Sequence, residues 1–136
     1  MSHDSTKVLM GATKSSLKTV TSHAGSIAAG LATRISSAGA LTVTESAGSL
    51  LGVSLGKDLS DSGRTAICRK GEGVPILLDD GLTPVIGTQV QISTTTGKAV
   101  ASGTAVNAVY KSAVLTGILE DGTEANVAVI DFVGGL

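Results

Sequence analysis

The sequence predicts a mostly β fold: a compact, multi-stranded barrel or sandwich-like domain built from a duplicated β unit, with an extended N-terminal arm. Three observations lead there. Short apolar runs are punctuated by Gly-containing turns from about Ala24 onward, which is how a multi-stranded β domain reads. Gly stands at 18 residues, and Ser and Thr together supply roughly a quarter of the chain, a mixture that favours short strands and many turns. A stretch around Gly30 also recurs around Gly87, and such self-similarity signals a repeated structural unit.

Residues 1–23 read as the arm, because Ser, Thr and Lys dominate and apolar residues are scattered. Within it, Lys7-Val8-Leu9-Met10 and Leu17-Lys18-Thr19-Val20 are short segments able to add a strand to another sheet. The arm is expected to be disordered in the free protein and to order on a partner. The β domain then covers residues 24–136. Its internal repeat spans about 27–79 and 84–132, since Gly30, Ile35 and Ser36 recur as Gly87, Ile92 and Ser93, with a longer turn in the second copy. Leu51-Gly52-Val53-Ser54-Leu55 is matched with Thr116-Gly117-Ile118-Leu119, and Thr65–Lys70 with Ala125–Phe132.

Strand faces agree with that reading. Leu31, Thr33 and Ile35 alternate with Ala32 and Arg34, while Val90 and Ile92 oppose Gln89 and Gln91. Asp80-Gly81 and Asp121-Gly122 are turn dipeptides whose residues tolerate positive φ. Pro75 and Pro84 are expected at an edge strand or a strand start, where a missing N–H costs nothing. A helix over Ala24–Ile35 competes, because Ile27, Leu31 and Ile35 are four apart, but Gly25 and Gly30 weaken it. Trp is absent, and Tyr110 and Phe132 are the only aromatics, so Val, Ile, Leu and Ala must build the core.

The net charge of -1 supplies no field for nucleic acid or an anionic membrane. The longest apolar runs fall far short of the roughly 20 residues that cross a bilayer, and Met1–Ser5 lacks the features of a secretion signal. A cytoplasmic product is expected. Cys68, the single cysteine, excludes an intrachain disulfide and any multi-cysteine metal site, and is expected to be a buried strand residue. Asp79, Asp80, Glu120, Asp121 and Glu124 lie at turns and read as solvated carboxylates, with a calcium site between loops as the other reading. His3 and His23 fall in the arm without a rigid partner. A Cys68–His23 nucleophile pair lacks an activating third group. Gly71-Glu72-Gly73 and Gly97-Lys98 do not open a helix as a phosphate loop requires, and Arg64, Arg69 and Lys70 lack aromatic stacking platforms for single strands. No catalytic, cofactor-binding or metal residue is therefore assigned.

The order of motifs, Ile27-Ala28-Ala29-Gly30 through Gly39-Ala40-Leu41, then Ala47–Leu55, Thr65–Gly73 and Val74-Pro75-Ile76, followed by Gly87–Ile92, Thr96-Gly97-Lys98, Leu115–Ile118 and Val127–Phe132, resembles the small capsid decoration, or cement, proteins of tailed bacteriophages. The resemblance covers roughly residues 27 to 132 and implies a non-enzymatic structural protein without cofactor. It further implies a homotrimer on the outer capsid surface of the virion, with the major capsid protein as partner and neither nucleic acid nor membrane bound. The capsid-binding residues would be Lys7, Val8, Leu9, Met10, Leu17, Lys18, Thr19 and Val20. The arm is longer than the family pattern requires. The alternatives are a β module of a tail or fibre, or a carbohydrate-binding domain, for which Tyr110 alone is poor material.

Overall fold

Along Thr104–Tyr110, residues 106, 108 and 110 are buried while 105, 107 and 109 face outward, the period-2 pattern of a strand with one wet face. In the computed structural model, which describes residues 7–9, 18–58 and 61–134, such strands form one sheet. They are β1 (Lys7–Leu9), β2 (Lys18–Ala24), β3 (Ala32–Ser36), β4 (Leu41–Thr42), β5 (Gly48–Asp58), β6 (Asp61–Leu77), β7 (Gln89–Ile92), β8 (Ala99–Val100), β9 (Thr104–Tyr110), β10 (Leu115–Ile118) and β11 (Glu124–Gly134). A single 3-10 turn, Glu45–Ala47, precedes β5. Ala32–Ser36 is strand, so the helical spacing of Ile27, Leu31 and Ile35 does not produce a helix. The fold is mostly β, as the sequence predicts.

The sheet runs β4-β3-β5-β6-β11-β9-β7-β8, with β2 added to β6, β10 to β11 and β1 to β10. Read from its centre, each half has the same order: β6-β5-β3-β4 on one side and β11-β9-β7-β8 on the other. The backbone bonding repeats as well. Gly30 N–H donates to Ser54 O and Ser54 N–H to Leu31 O, both at 2.8 Å. Gly87 N–H donates to Tyr110 O at 2.8 Å and Tyr110 N–H to Thr88 O at 3.0 Å. Both glycines hold positive φ, 89° and 88°, a conformation costly for residues with a Cβ. Ser36 N–H to Ala40 O and Ser93 N–H to Lys98 O close the two turns, each at 2.9 Å, the second loop being one residue longer as expected.

One part of the anticipated echo is corrected. Leu51–Leu55 corresponds to a segment of β9, not to Thr116–Leu119, which forms β10 and its turn. The two short Gly-Val and Gly-Ile runs look alike in sequence, but only pairing with β3 or β7 distinguishes their places. Pro75 is also corrected, because it sits inside β6 opposite Val129 and not at an edge or strand start. Val129 donates to Ser112 Oγ and accepts from Lys111 N–H, so its backbone groups point away from Pro75. The missing donor therefore leaves no gap in the β6–β11 ladder.

The sheet curls until its ends touch without a continuous ladder. Ala32 N–H donates to Gly97 O and Glu45 N–H to Thr94 O, both at 2.8 Å, while Thr104 Oγ1 donates to Glu45 Oε2 at 2.7 Å. A single parallel bridge joins Leu78 to Ala99. Inside lies one core drawn from both halves, including Val53, Cys68, Val74, Ile76, Val90, Ile92, Ile130 and Phe132. A smaller cluster of Ala29, Leu77 and Val127, flanked by Leu31, Leu115 and Leu119, covers the outer side of the β6–β11–β10 region.

Equivalent glycines hold each half tight. A Cβ on Gly48 would strike the Ile35 carbonyl oxygen, and one on Gly103 would strike that of Ile92. Gly48→Ala and Gly103→Ala should each lower unfolding free energy by about 1–3 kcal/mol, read from urea midpoints, with similar losses at the two sites. Tyr110 is 4% exposed, and its hydroxyl has no hydrogen-bond partner among the described residues. Tyr110→Phe should therefore leave stability unchanged or raise it by about 1 kcal/mol in the same titration, since an unmet buried hydroxyl carries a desolvation cost.

Candidate functional site

The segments expected to form a donated arm are used within the chain's own sheet. Lys7, Val8 and Leu9 make β1, parallel to β10 with Lys7 opposite Thr116 and Leu9 opposite Ile118. Lys18, Thr19 and Val20 open β2, antiparallel to β6 with Lys18 opposite Gly71 and Val20 opposite Cys68. Met10 and Leu17, like His3, lie outside the described residues. The boundary expected between 23 and 24 falls within β2, so residues 18–23 belong to the β domain. Long-range partners explain the difference. Ser22 Oγ donates to Asp58 Oδ2, Arg64 Nε donates to Ser22 Oγ at 2.9 Å, and the same guanidinium donates to Ser22 O at 2.7 Å. This network fastens β2 to the hairpin of β5 and β6, and a polar segment is ordered by polar contacts that composition does not reveal.

Thr21 Oγ1 and His23 Nε2 are 2.8 Å apart. Burial, then the positive charges of Arg64 and Arg69, hold the His23 imidazole below its ordinary value of 6.5. His23 lies opposite Thr65, three residues along β6 from Cys68, about 10 Å on a strand. Cys68 is fully buried and its Sγ donates to Lys70 O at 3.4 Å, so the pair considered for nucleophilic chemistry is not brought together.

The turn carboxylates gather around the small outer cluster without meeting. One cleft of about 220 Å³ is floored by Ala29, Leu77 and Leu119 and rimmed by Glu120 and Asp121. An adjoining one, also reaching Leu77 and Leu119, is rimmed by Asp80, Lys98 and Glu124. Among the described residues no three His, Cys, Asp or Glu side chains stand close enough to share a metal ion. Glu120 Oε2 instead accepts from Lys57 N–H at 3.3 Å. Asp121 is held below the ordinary carboxylate range by hydrogen bonds from the hydroxyl and N–H of Thr123. Gly71-Glu72-Gly73 lies within β6, where Gly73 N–H donates to Asp131 Oδ1 at 3.2 Å.

Sequence reasoning missed the most prominent apolar feature of the surface. Val85 and Ile86 are 61% and 62% exposed, side by side on the turn that enters β7. The turn is fixed, because Thr88 Oγ1 donates to Val85 O at 2.6 Å and Gly87 N–H is tied to Tyr110 O. Two adjacent apolar residues following buried Pro84 read as the start of a strand face, and only exposure separates a docking knob from a core pair. A third cleft, of about 360 Å³, opens between Thr19, Lys70, Glu72, Phe132 and Val133.

No protein-family model, no curated protein and no solved structure matches the chain.

His23 gives a pH test with a defined sign. Below pH 6.5 the unfolded chain binds a proton that the folded one resists, so stability falls as pH drops below 6.5. Wild type should lose more thermal stability between pH 7.5 and pH 5 than His23→Gln, whose amide keeps a partner for Thr21 but cannot titrate. Equal losses would show that His23 does not couple to folding.

Proposed function

We propose that this chain is a non-enzymatic structural protein that decorates the outer surface of a tailed-phage capsid, contacting the major capsid protein and stabilising the contacts between its subunits. The observation that carries the reading is the fixed, exposed Val85–Ile86 knob on a rigid β body. An apolar pair held on a hydrogen-bonded turn loses less entropy when it seats in a partner's pocket than one on an untethered loop, and central buried anchors of this kind dominate protein interfaces. The order of motifs from Ile27 to Phe132, which resembles that of cement proteins, supports the choice of a capsid as the partner. The N-terminal strands add a second contact mode, in which the edges of β1 and β2 offer backbone groups to a capsid strand. In this reading the protein acts at the virion surface after synthesis in the host cytoplasm, as a homotrimer, and needs no cofactor.

Co-sedimentation with undecorated phage heads tests it. The full chain should pellet with heads, and Val85→Ser combined with Ile86→Ser should weaken binding by tens of fold, the loss expected for an anchor of about 2 kcal/mol. Circular dichroism of the variant should be unchanged, since both side chains face solvent. Failure of the full chain to pellet would remove the capsid reading, and undiminished binding of the variant would remove the knob from the interface.

A further inference from the structure

The small outer cluster of Ala29, Leu77 and Val127 is only partly covered. Leu31, Leu115, Leu119 and Ala125 pack against it and stay half-buried. Two clefts open onto it and share Leu77 and Leu119. The first, of about 220 Å³, is walled by Ala28, Ala29, Leu77 and Leu119 and turns polar only at Glu120 and Asp121. It is smaller than the roughly 300–1,000 Å³ of a small-molecule pocket, and it suits a single large apolar side chain. The second, of about 390 Å³, sets Leu78 and Ala125 among Asp80, Lys98, Glu124 and Asn126.

One sign of charge dominates the rim. The exposed carboxylates of Asp80, Glu120, Asp121 and Glu124 stand against the single ammonium of Lys98. Much of this rim is fixed in advance. Glu120 Oε2 accepts from Lys57 N–H at 3.3 Å, and Asp121 Oδ1 from the N–H and hydroxyl of Thr123 at 3.0 and 2.6 Å. Their turn is closed by Leu119 N–H donating to Thr123 O at 2.7 Å and Gly122 N–H to Leu119 O at 2.9 Å. The chain entering Asp80 is tied by Leu78 N–H to Asn126 O and by Asp79 N–H to Ala99 O, both at 2.9 Å. A rim already in place gives up little freedom when a ligand arrives. Asn126 adds a side-chain amide able both to donate to a peptide backbone and to accept from it.

We propose that this double cleft binds a short segment of a partner protein in which a large apolar residue is flanked by lysine or arginine. The apolar side chain enters between Ala28, Ala29, Leu77 and Leu119 and completes the cover of the outer cluster. The flanking cations lie against Glu120 and Asp121 on one side and Asp80 and Glu124 on the other. The two parts do different work. Burial of the apolar side chain supplies most of the affinity, whereas exposed ion pairs add little apiece but select basic flanks and repel acidic ones. Val85 and Ile86 line neither cleft, so this surface is separate from the knob read as the capsid contact.

Labelled peptides and the isolated protein test the proposal by fluorescence anisotropy. A peptide alternating lysine with leucine should bind, with an affinity that falls as salt rises. Peptides alternating glutamate with leucine, or lysine with serine, should bind about tenfold more weakly or worse. Ala28→Gln, at an exposed wall position, should weaken the lysine–leucine peptide about tenfold, and Asp80→Asn about two- to fivefold, as the loss of one exposed ion pair predicts. Glu72→Gln removes the same charge from the cleft beside Phe132 and should change nothing. All three substitutions are at exposed positions, and circular dichroism should show the same β spectrum for each. The proposal is overturned if the lysine–leucine peptide does not bind, if either control peptide binds equally, if Ala28→Gln binds undiminished, or if Asp80→Asn and Glu72→Gln have equal effects. None of these results bears on the capsid reading, which is decided with phage heads.

Discussion

The antiparallel ladder between β6 and β11 is the interaction on which the rest of the structure depends. Val74 faces Ile130 at its middle, and both are fully buried. Every other strand attaches, directly or through a neighbour, to one of these two. β5 and β2 pair with β6, β9 and β10 with β11, and β3, β7, β4, β8 and β1 follow outward. With one Tyr and one Phe in the chain, no large ring is available to fill a gap between loosely placed halves. The core must be close-packed from Val, Ile, Leu and Ala, and this demands that the central register be right.

The near-symmetry of the halves follows from that ladder. A two-fold relation that exchanges β6 and β11 also exchanges β5 with β9, β3 with β7 and β4 with β8. The same structural problem is therefore solved twice, as the matching bonds of Gly30 and Gly87 and the close approaches of Gly48 and Gly103 indicate. The solutions differ where the ends of the sheet meet. Arg34 and Gln91 occupy equivalent places, yet Arg34 is 6% exposed and its guanidinium donates to Gly48 O at 3.5 Å, while Gln91 Oε1 accepts from Gly103 N–H at 2.9 Å.

Much of the fold was legible because it is written in local signals. Alternation along Gln89–Ile92 and Thr104–Tyr110, and the Asp-Gly turns whose glycines hold φ of 78° and 88°, need only neighbouring residues to be understood. The echo between Gly30 and Gly87 was readable because a glycine with positive φ cannot be replaced without strain. What escaped was set by distant partners. Lys18–His23 looked too polar to order, since Asp58 and Arg64, which order Ser22, are about forty residues away in sequence. Leu51–Leu55 was matched to Thr116–Leu119 because both are short Gly-containing apolar runs, and sheet neighbours cannot be seen in either. The Val85–Ile86 knob was illegible for the opposite reason, as apolar residues beside a turn look the same whether they enter a core or leave it.

That the sheet's central partner is β11, the furthest along the chain of the described strands, has a bearing on how the molecule comes into being. While the ribosome has delivered only β6, Val74, Ile76 and Leu77 have no strand to cover them, and some fifty further residues must emerge before Val127 and Ile130 arrive. The first half can form its local hairpins co-translationally, but it waits with an open apolar edge until the second half docks. In the interval between those two events the nascent chain presents that edge to any other chain able to pair with it.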